Sequence, residues 1–437
     1  MNRPARDSGV TWIGDIPEGW AVEPFRRLFR ESKEINGPTP VGPMLSISGY
    51  RGVEEKVYES ESLIRDNDQL ENYRVVRPGQ LAVNTMWLNY AGLGVSLLLG
   101  HVSPAYRAYW ISKRLDGRYA HHLLRSSIYV QGYTALLTGI RPNSLQMSRA
   151  DLMAFPVLVP PLGEQRAIAD YLDRETARID AFIAKNEELV TLLTERRAAS
   201  ITSVLTSGLG DGPRSSDDRW FGAIPVHWES MPLRYLLRRI EQGVSPQAEG
   251  GLAEGAGQVG VLKSGCVNGG VYRPTEHKLL PDGFDFDRSL LVRPGDLLVN
   301  RASGSIPLLG SAALVKKSPY QLILSDKTFR LIPGVRTTRN YLYWLLNSRI
   351  YREQVESSVS GAEGLANNLP QSSLRRFVLP VPPREEQDQI DSYLTERCAQ
   401  IDKSIDAARR GIELARERRA ALISAAVTGK IDVGVAA

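Results

Sequence analysis

Apolar residues recur every eleven positions along two stretches of this chain: Ile168, Ile179, Val190 and Ile201 in one, and Ile390, Ile401, Ile412 and Ile423 in the other. Leu172, Ile183, Leu394 and Ile405 lie beside them. Eleven residues in three turns is about 3.67 per turn, which keeps an apolar stripe on one face of a nearly straight helix. A double proline precedes each stretch, Pro160 with Pro161 and Pro382 with Pro383. Proline cannot lie inside a helix, so each pair marks a start. From Gly163 to about Thr206 there is no proline and no interior glycine, and from Glu385 to about Thr428 only Gly411 intervenes. The spacing predicts two helices of forty-odd residues, each roughly 60 Å long at about 1.5 Å per residue. A single rod with one apolar stripe needs a partner, and its duplicate is the obvious one.

The two stretches are copies. Residues 159–209 laid over 381–431 give 20 identities in 51 positions without a gap, so the chain is a tandem duplication. WIGDIPEGW (12–20) matches WFGAIPVHW (220–228) at an offset of 208, and VVRPGQLAVN (75–84) matches LVRPGDLLVN (291–300) at 216. From Tyr119, aligned with Tyr341, the offset is a constant 222. Each copy therefore begins with a region of variable length, which in the second copy holds the glycine-rich AEGGLAEGAGQ (248–258), and ends with one of fixed register.

The regions before the helices alternate short β-rich runs with Gly, Pro and Ser punctuation: LAVN (81–84), VSLLL (95–99), DLLVN (296–300), AALV (312–315) and QLILS (321–325). One helix is predicted after each set, over YAHHLLRSSIYV (119–130) and YLYWLLNSRIYR (341–352). The expected fold is α/β (α+β). It has two globular α/β domains at 1–160 and 210–382, separated by two long antiparallel helices at 161–209 and 383–437 that form a coiled coil.

Bulk properties add little. A net charge of +5 and a pI near 9.1 suit a polyanionic partner and equally suit a mildly basic globular protein. Cys266 and Cys398 occupy non-equivalent places and form no CxxC pair, which argues against a zinc site or a disulfide framework. The opening MNRPARDSGVTW has no apolar signal core, and no apolar run approaches the ~20 residues that span a bilayer, so a cytoplasmic location is expected.

Enzyme signatures are absent. Both double prolines follow valine, where an amino-methyltransferase would carry an NPP[YF]-type motif. TGK at 428–430 lacks the upstream glycine and following hydroxyl of a phosphate loop. His121 and His122 align with Tyr343 and Trp344, which favours packing over metal binding. The PDxxxD run at 281–287 has no E-x-K partner and reads as an acidic loop.

A duplicated chain suits a target with two similar halves, and duplex DNA has local dyads. Antiparallel rods would hold two unlike readers apart at a distance set by helix length, so an asymmetric, bipartite target is expected. Three pairs of polar loops stand at equivalent positions. They supply Ser46, Ser48, Tyr50 and Arg51 against Lys263, Ser264 and Asn268; Asn84, Thr85 and Asn89 against Asn300, Arg301 and Ser303; and Arg141 and Asn143 against Asn367 and Asn368. Arg and Lys bond guanine edges, Asn bonds adenine, and Ser and Thr reach base or phosphate. Taken singly, each of these residues also suits a turn or cap.

The paired PPxxEQxxIxxYL segments, the RPGxL[AL]VN element and the WIGxIPxxW opening resemble the specificity subunits of type I restriction-modification systems, over essentially the whole chain. The resemblance implies a non-catalytic subunit that binds double-stranded DNA through two target-recognition domains. Its helices would set the spacing and dock two methyltransferase subunits carrying S-adenosylmethionine, with ATP-driven restriction subunits joining that core. The ERRAA segment, kept in both copies, then suggests docking through Arg196, Arg197, Arg418 and Arg419, with Glu164, Gln165, Tyr171, Glu386, Gln387 and Tyr393 from the helix starts. A solvated helix face is the plainer account of the same charges.

Overall fold

The computed structural model describes residues 4–58, 70–138, 146–210, 212–255, 257–359 and 367–433, apart from the side chains of 215–217. The long helices run Leu162–Ser207 and Arg384–Val427, starting directly after the double prolines. Of the predicted apolar stripes, Ile168, Leu172, Ile183 and Ile201 are buried on one helix and Ile390, Leu394, Ile401, Ile405, Ile412 and Ile423 on the other, while Ile179 and Val190 are half-buried. The helices pack antiparallel: Arg419 meets Asp180 and Arg416 meets Glu187, so one number rises as the other falls.

The chain divides into two compact units, Met1–Glu187 with Arg409–Ala437, and Glu188–Ala408. Each unit holds the start of one long helix and the end of the other. The core of the first unit takes in Ile168 and Leu172 together with Ile423, Ala426 and Val427. In the second, Ile390 and Leu394 share a core with Ile201, Val204 and Leu205.

Both units contain the same four-stranded antiparallel sheet. In the first its strands are, from edge to edge, Phe29–Ser32, Arg107–Ile111, Gln80–Val83 and Leu93–Val95. In the second they are Leu237–Gln242, Thr328–Pro333, Leu297–Asn300 and Ala312–Leu314. The strand leading to each double proline pairs with a strand just after the Trp-rich opening, Pro156–Val159 with Ala21–Pro24 and Val378–Val381 with Glu229–Pro232. The long helix of each copy is thereby fixed to its own domain.

Two expectations need correction. The helix predicted over 119–130 is two, Gly117–Arg125 and Ser127–Leu136, and that over 341–352 is Arg339–Leu346 and Arg349–Ser358. The cause is the same serine in both copies. Ser126 and Ser348 have extended backbones (ψ 151° and 163°), and their hydroxyls donate to Leu123 O and Leu345 O at 2.7 and 2.6 Å. A serine hydroxyl competes with the helix ladder in this way. The run 95–99 is strand only to Val95. Ser96 turns the chain by exchanging hydrogen bonds with Leu98, which leaves Leu97 84% exposed.

The Trp-rich opening joins a helix start to a helix end. Trp20 donates its indole N–H to Glu164 at 3.1 Å, and Trp228 donates to Glu386 at 3.0 Å. Glycines past the helix ends lie against the same tryptophans. Gly429 (φ +72°) packs on Pro17 and Trp20, and Gly208 (φ +70°) on Trp228 beside Glu386. Positive φ suits glycine, and a β-carbon on Gly429 would come within 2.5 Å of Pro17.

Candidate nucleic-acid interface

In the first unit the loops predicted to read DNA converge. Ser48 Oγ accepts the amides of Tyr50 and Arg51, the local turn foreseen as the plainer account of such a residue. Arg125, half-buried between the loops, donates to the carbonyls of Ser48, Gly49, Ala91 and Leu93, tying 46–51 to the segment after 84–90. Burial, reinforced by Arg419, lowers the Arg125 pKa to about 10. A β-carbon on Gly49 would strike the Tyr90 carbonyl oxygen, so the loops touch backbone to backbone. Thr85 accepts from Met147 N at 3.2 Å, bringing in the segment after the third loop. Arg141 and Asn143 of that loop lie outside the described residues.

Side chains split between structure and surface. Asn84 and Thr85 are buried, with Asn84 Oδ1 accepting Met86 N. Ser46 is half-buried on the strand Leu45–Ser48, and Asn89 is half-buried with its Oδ1 atom enclosed. Arg51 is exposed and pairs loosely with Glu54 at 3.5 Å. The projecting groups are aromatic: Tyr50, Trp87 and Tyr90 are 45%, 54% and 60% exposed. Sequence reasoning passed over Trp87 and Tyr90, although both stand in the NTMWLNY loop.

The second unit repeats the convergence with other side chains. Asn300 is fully buried and donates to Asn268 Oδ1 at 3.2 Å, joining the first and second loops. Leu369 N donates to Arg301 O at 2.8 Å, the counterpart of the Met147–Thr85 bond. Ala302 and Ser303 pair with Asn368 and Asn367 as a short antiparallel ladder. Arg301 donates to Asp326 O and lies over the Phe329 ring. Lys263 is exposed and Ser264 half-buried.

The residues predicted to dock a partner fall into two groups. Gln165 and Gln387 are fully buried. Each amide donates back to the first proline of its pair, Pro160 O at 2.8 Å and Pro382 O at 2.9 Å. Each also donates to the preceding loop, at Arg114 O and Arg336 O, and accepts from Asp116 N and Thr338 N. Glu164 and Glu386 hold the tryptophans described above. These four build the helix start and offer little to a partner. Tyr171 is half-buried against the core, whereas Tyr393 is 44% exposed.

The ERR segments divide residue by residue. Arg197 and Arg419 turn inward, to Asp402 at 3.0 Å and Asp180 at 2.9 Å, whereas Arg196 and Arg418 are exposed. Tyr50 joins the inner pair of the first unit, donating its hydroxyl to Asp180 at 2.5 Å beneath the Arg419 guanidinium. Burial and that carboxylate raise the Tyr50 pKa.

No reactive constellation stands out. Burial pushes the Cys266 thiol up to about 12 and raises that of Cys398, the opposite of an activated nucleophile. His121 accepts Val95 N, and His122 contacts Asp173 at 2.7 Å. Asp287 of the acidic run caps a turn through Ser289. Among the described residues no three His, Cys, Asp or Glu side chains are grouped to hold a metal, and no helix is long and apolar enough to cross a membrane.

No protein-family model matches the chain. It is 25% identical over 288 residues to the type I restriction enzyme EcoKI specificity subunit of Escherichia coli K12, covering 64% of this chain and 58% of that protein. It is 28% identical over 201 residues to the EcoEI specificity subunit of Escherichia coli, over 45% of this chain and 34% of that protein. Against the StySPI specificity subunit of Salmonella potsdam it is 22% identical over 410 residues, covering 89% of this chain and 84% of that one. The chain thus spans less than two thirds of the length of two of these relatives. Among solved structures, one from a study of assembly and conformational transition of the type I R-M system superposes with TM-score 0.69 at 16% identity, covering 95% of this chain and 99% of that one. The HsdS subunit from Thermoanaerobacter tengcongensis gives 0.50 at 18% identity, covering 95% of this chain and 98% of that one. The chain is thus similar in sequence to the specificity subunits of three type I restriction enzymes and shares the fold of these two solved structures along nearly its whole length.

Proposed function

We propose that this chain is the DNA sequence-specificity subunit of a type I restriction-modification complex. Its domains are 1–160 and 210–382, with spacer helices at 161–209 and 383–437. Each domain reads one half of an asymmetric bipartite site, and the antiparallel helices set the interval between the halves. The exposed faces of the helices dock two methyltransferase subunits, which bring S-adenosylmethionine, and the ATP-driven restriction subunits join them. The chain itself is non-catalytic and acts in the cytoplasm.

The convergence of two loops with the segment that follows the third, repeated in both units, carries this reading. The same backbone bond, Met147 to Thr85 and Leu369 to Arg301, holds the loops together in both units. The side chains around it differ, aromatic in one and basic and amide-rich in the other. A common frame with different surface groups suits two readers of different half-sites.

The test is to map adenine methylation in cells expressing the chain with its methyltransferase partner, then to exchange loop 84–90 for that of a relative. A bipartite methylated sequence that changes in one half only is the expected result. Methylation at a continuous site, or a change in both halves, would defeat the reading.

A further inference from the structure

We propose that the second unit grips the phosphate backbone of duplex DNA in a cleft lined by Lys263, Lys278 and Lys327. The inference rests on the DNA-binding reading above and assigns a specific contact within it.

Three strands meet at the cleft. Val259–Leu262 is central, antiparallel to His277–Leu279 on one side and parallel to Gln321–Ile323 on the other. Val261 lies opposite Lys278, so the two share a face. Lys263 is two residues beyond Val261, which brings it to the same face at the strand end. The parallel neighbour finishes at that end too, and its turn supplies Ser325, Asp326 and Lys327. All these groups line one open cavity of about 240 Å³, together with Ser245 and Ser264.

The charge balance favours an anion. Among the lining residues the only carboxylate is Asp326, which Lys327 already contacts at 2.8 Å. Among the described residues Lys263 and Lys278 make no ion pair, so the cleft keeps an excess of cations above the apolar Val261. A low-dielectric wall focuses such a field outward.

The backbone is fixed where it matters. Lys263 N donates to Glu276 O at 2.9 Å, Asp326 N to Val244 O at 2.9 Å, and Arg301 N to Lys327 O at 2.9 Å. The last bond joins the cleft to the loop that holds Asn300, Arg301 and Ser303, so a phosphate held here lies beside the candidate base-reading groups. Arg107 pairs with Val83 as Phe329 pairs with Val299, so Ala105 stands in place of Lys327, and Ser46 opens the loop aligned with Lys263.

The experiment measures duplex binding by the full chain, assembled with its methyltransferase partner, over a series of salt concentrations. In the triple variant Lys263→Gln, Lys278→Gln, Lys327→Gln, the slope of log affinity against log salt is expected to become shallower by about 2 to 3, at about 0.9 per phosphate contact. The loss should be equal on the specific and an unrelated duplex, the methylated sequence should stay the same, and the triple Lys→Arg variant should restore the slope. An unchanged slope overturns the grip, and so does an altered half-site, which would make these lysines base readers. Stabilisation of the free chain by millimolar inorganic phosphate, lost in the triple variant while the DNA slope persists, would assign the cleft to a free anion and also overturn it. If the unmodified assembly shows no preference for any sequence, the DNA-specificity reading fails instead.

Discussion

Asp180 accepts two hydrogen bonds from Arg419, at 2.9 and 3.3 Å, one on each carboxylate oxygen. Their counterparts 222 residues away, Asp402 and Arg197, face each other at 3.0 Å, but there the Nε–H is not aimed at the oxygen. The ion pair between the helices is therefore repeated with unequal quality. The first copy adds the hydroxyl of Tyr50, which links a candidate DNA-reading loop to the helix pair.

A double-mutant cycle should register that inequality. Removing Asp180 and Arg419 singly and together is expected to give a coupling of about 1 kcal/mol in urea unfolding, since both groups are partly solvent-screened. The Asp402–Arg197 cycle should give a few tenths of that. Equal couplings would show that the bidentate geometry contributes nothing.

The buried amides predict larger losses. Gln165→Ala removes three hydrogen bonds and leaves carbonyls and an amide unpaired inside the helix start, at an expected cost of about 2 to 4 kcal/mol. Gln387→Ala should cost a similar amount. Gln165→Glu is expected to be as damaging, because a carboxylate cannot donate to Pro160 O and Arg114 O. Thermal unfolding of the three variants measures this, and near-native stability of the Glu variant would refute the clamp.

Acid should weaken the first unit through His121. Burial, then the nearby Arg125, lowers its pKa to about 3, and its Nδ1 atom accepts Val95 N. The unfolded chain takes up this proton below about pH 6.5, whereas the folded chain refuses it until about pH 3. The contribution is therefore complete above about pH 6.5 and is lost as pH falls towards 3, with about 1 to 2 kcal/mol gone by pH 5. His121→Gln should flatten the stability profile between pH 5 and 7, and an unaltered profile would exclude His121 as its source.

Arg196 and Arg418 are the exposed halves of the ERR segments. Reversing both to Glu should abolish co-purification with the methyltransferase subunit while leaving the melting temperature nearly unchanged. Reversing Arg197 and Arg419 should lower the melting temperature as well, since each would face an aspartate. Full assembly by the Arg196→Glu, Arg418→Glu variant would move the docking surface elsewhere.

The helices were legible because an eleven-residue apolar period framed by prolines admits few other structures. The run 95–99 was not, because consecutive leucines look like a buried strand until the Ser96 turn exposes them. The serine breaks at 126 and 348 were equally hidden, since serine is tolerated within helices and its bond back to a carbonyl depends on the local fold. The part the EQ segment plays at the helix start was hidden for a tertiary reason. Polar residues at a helix start read as surface, yet a Trp and two loop carbonyls from distant positions close over them. The loop clusters could be paired from the repeat alone. Which of their side chains point outward could not, since Asn84 and Asn300 are turn residues in chemistry and DNA readers in type.

Ile423, Ala426 and Val427 complete the core of the first unit, and Gly429 rests on Pro17 and Trp20. The second unit, by contrast, is one uninterrupted stretch of sequence. During synthesis the domain made first must therefore wait with an open apolar slot until residues near 427 leave the ribosome, while the one begun later can already close. A chain that stops early would display that slot to the quality-control machinery, so the order of manufacture and the order of folding run in opposite directions.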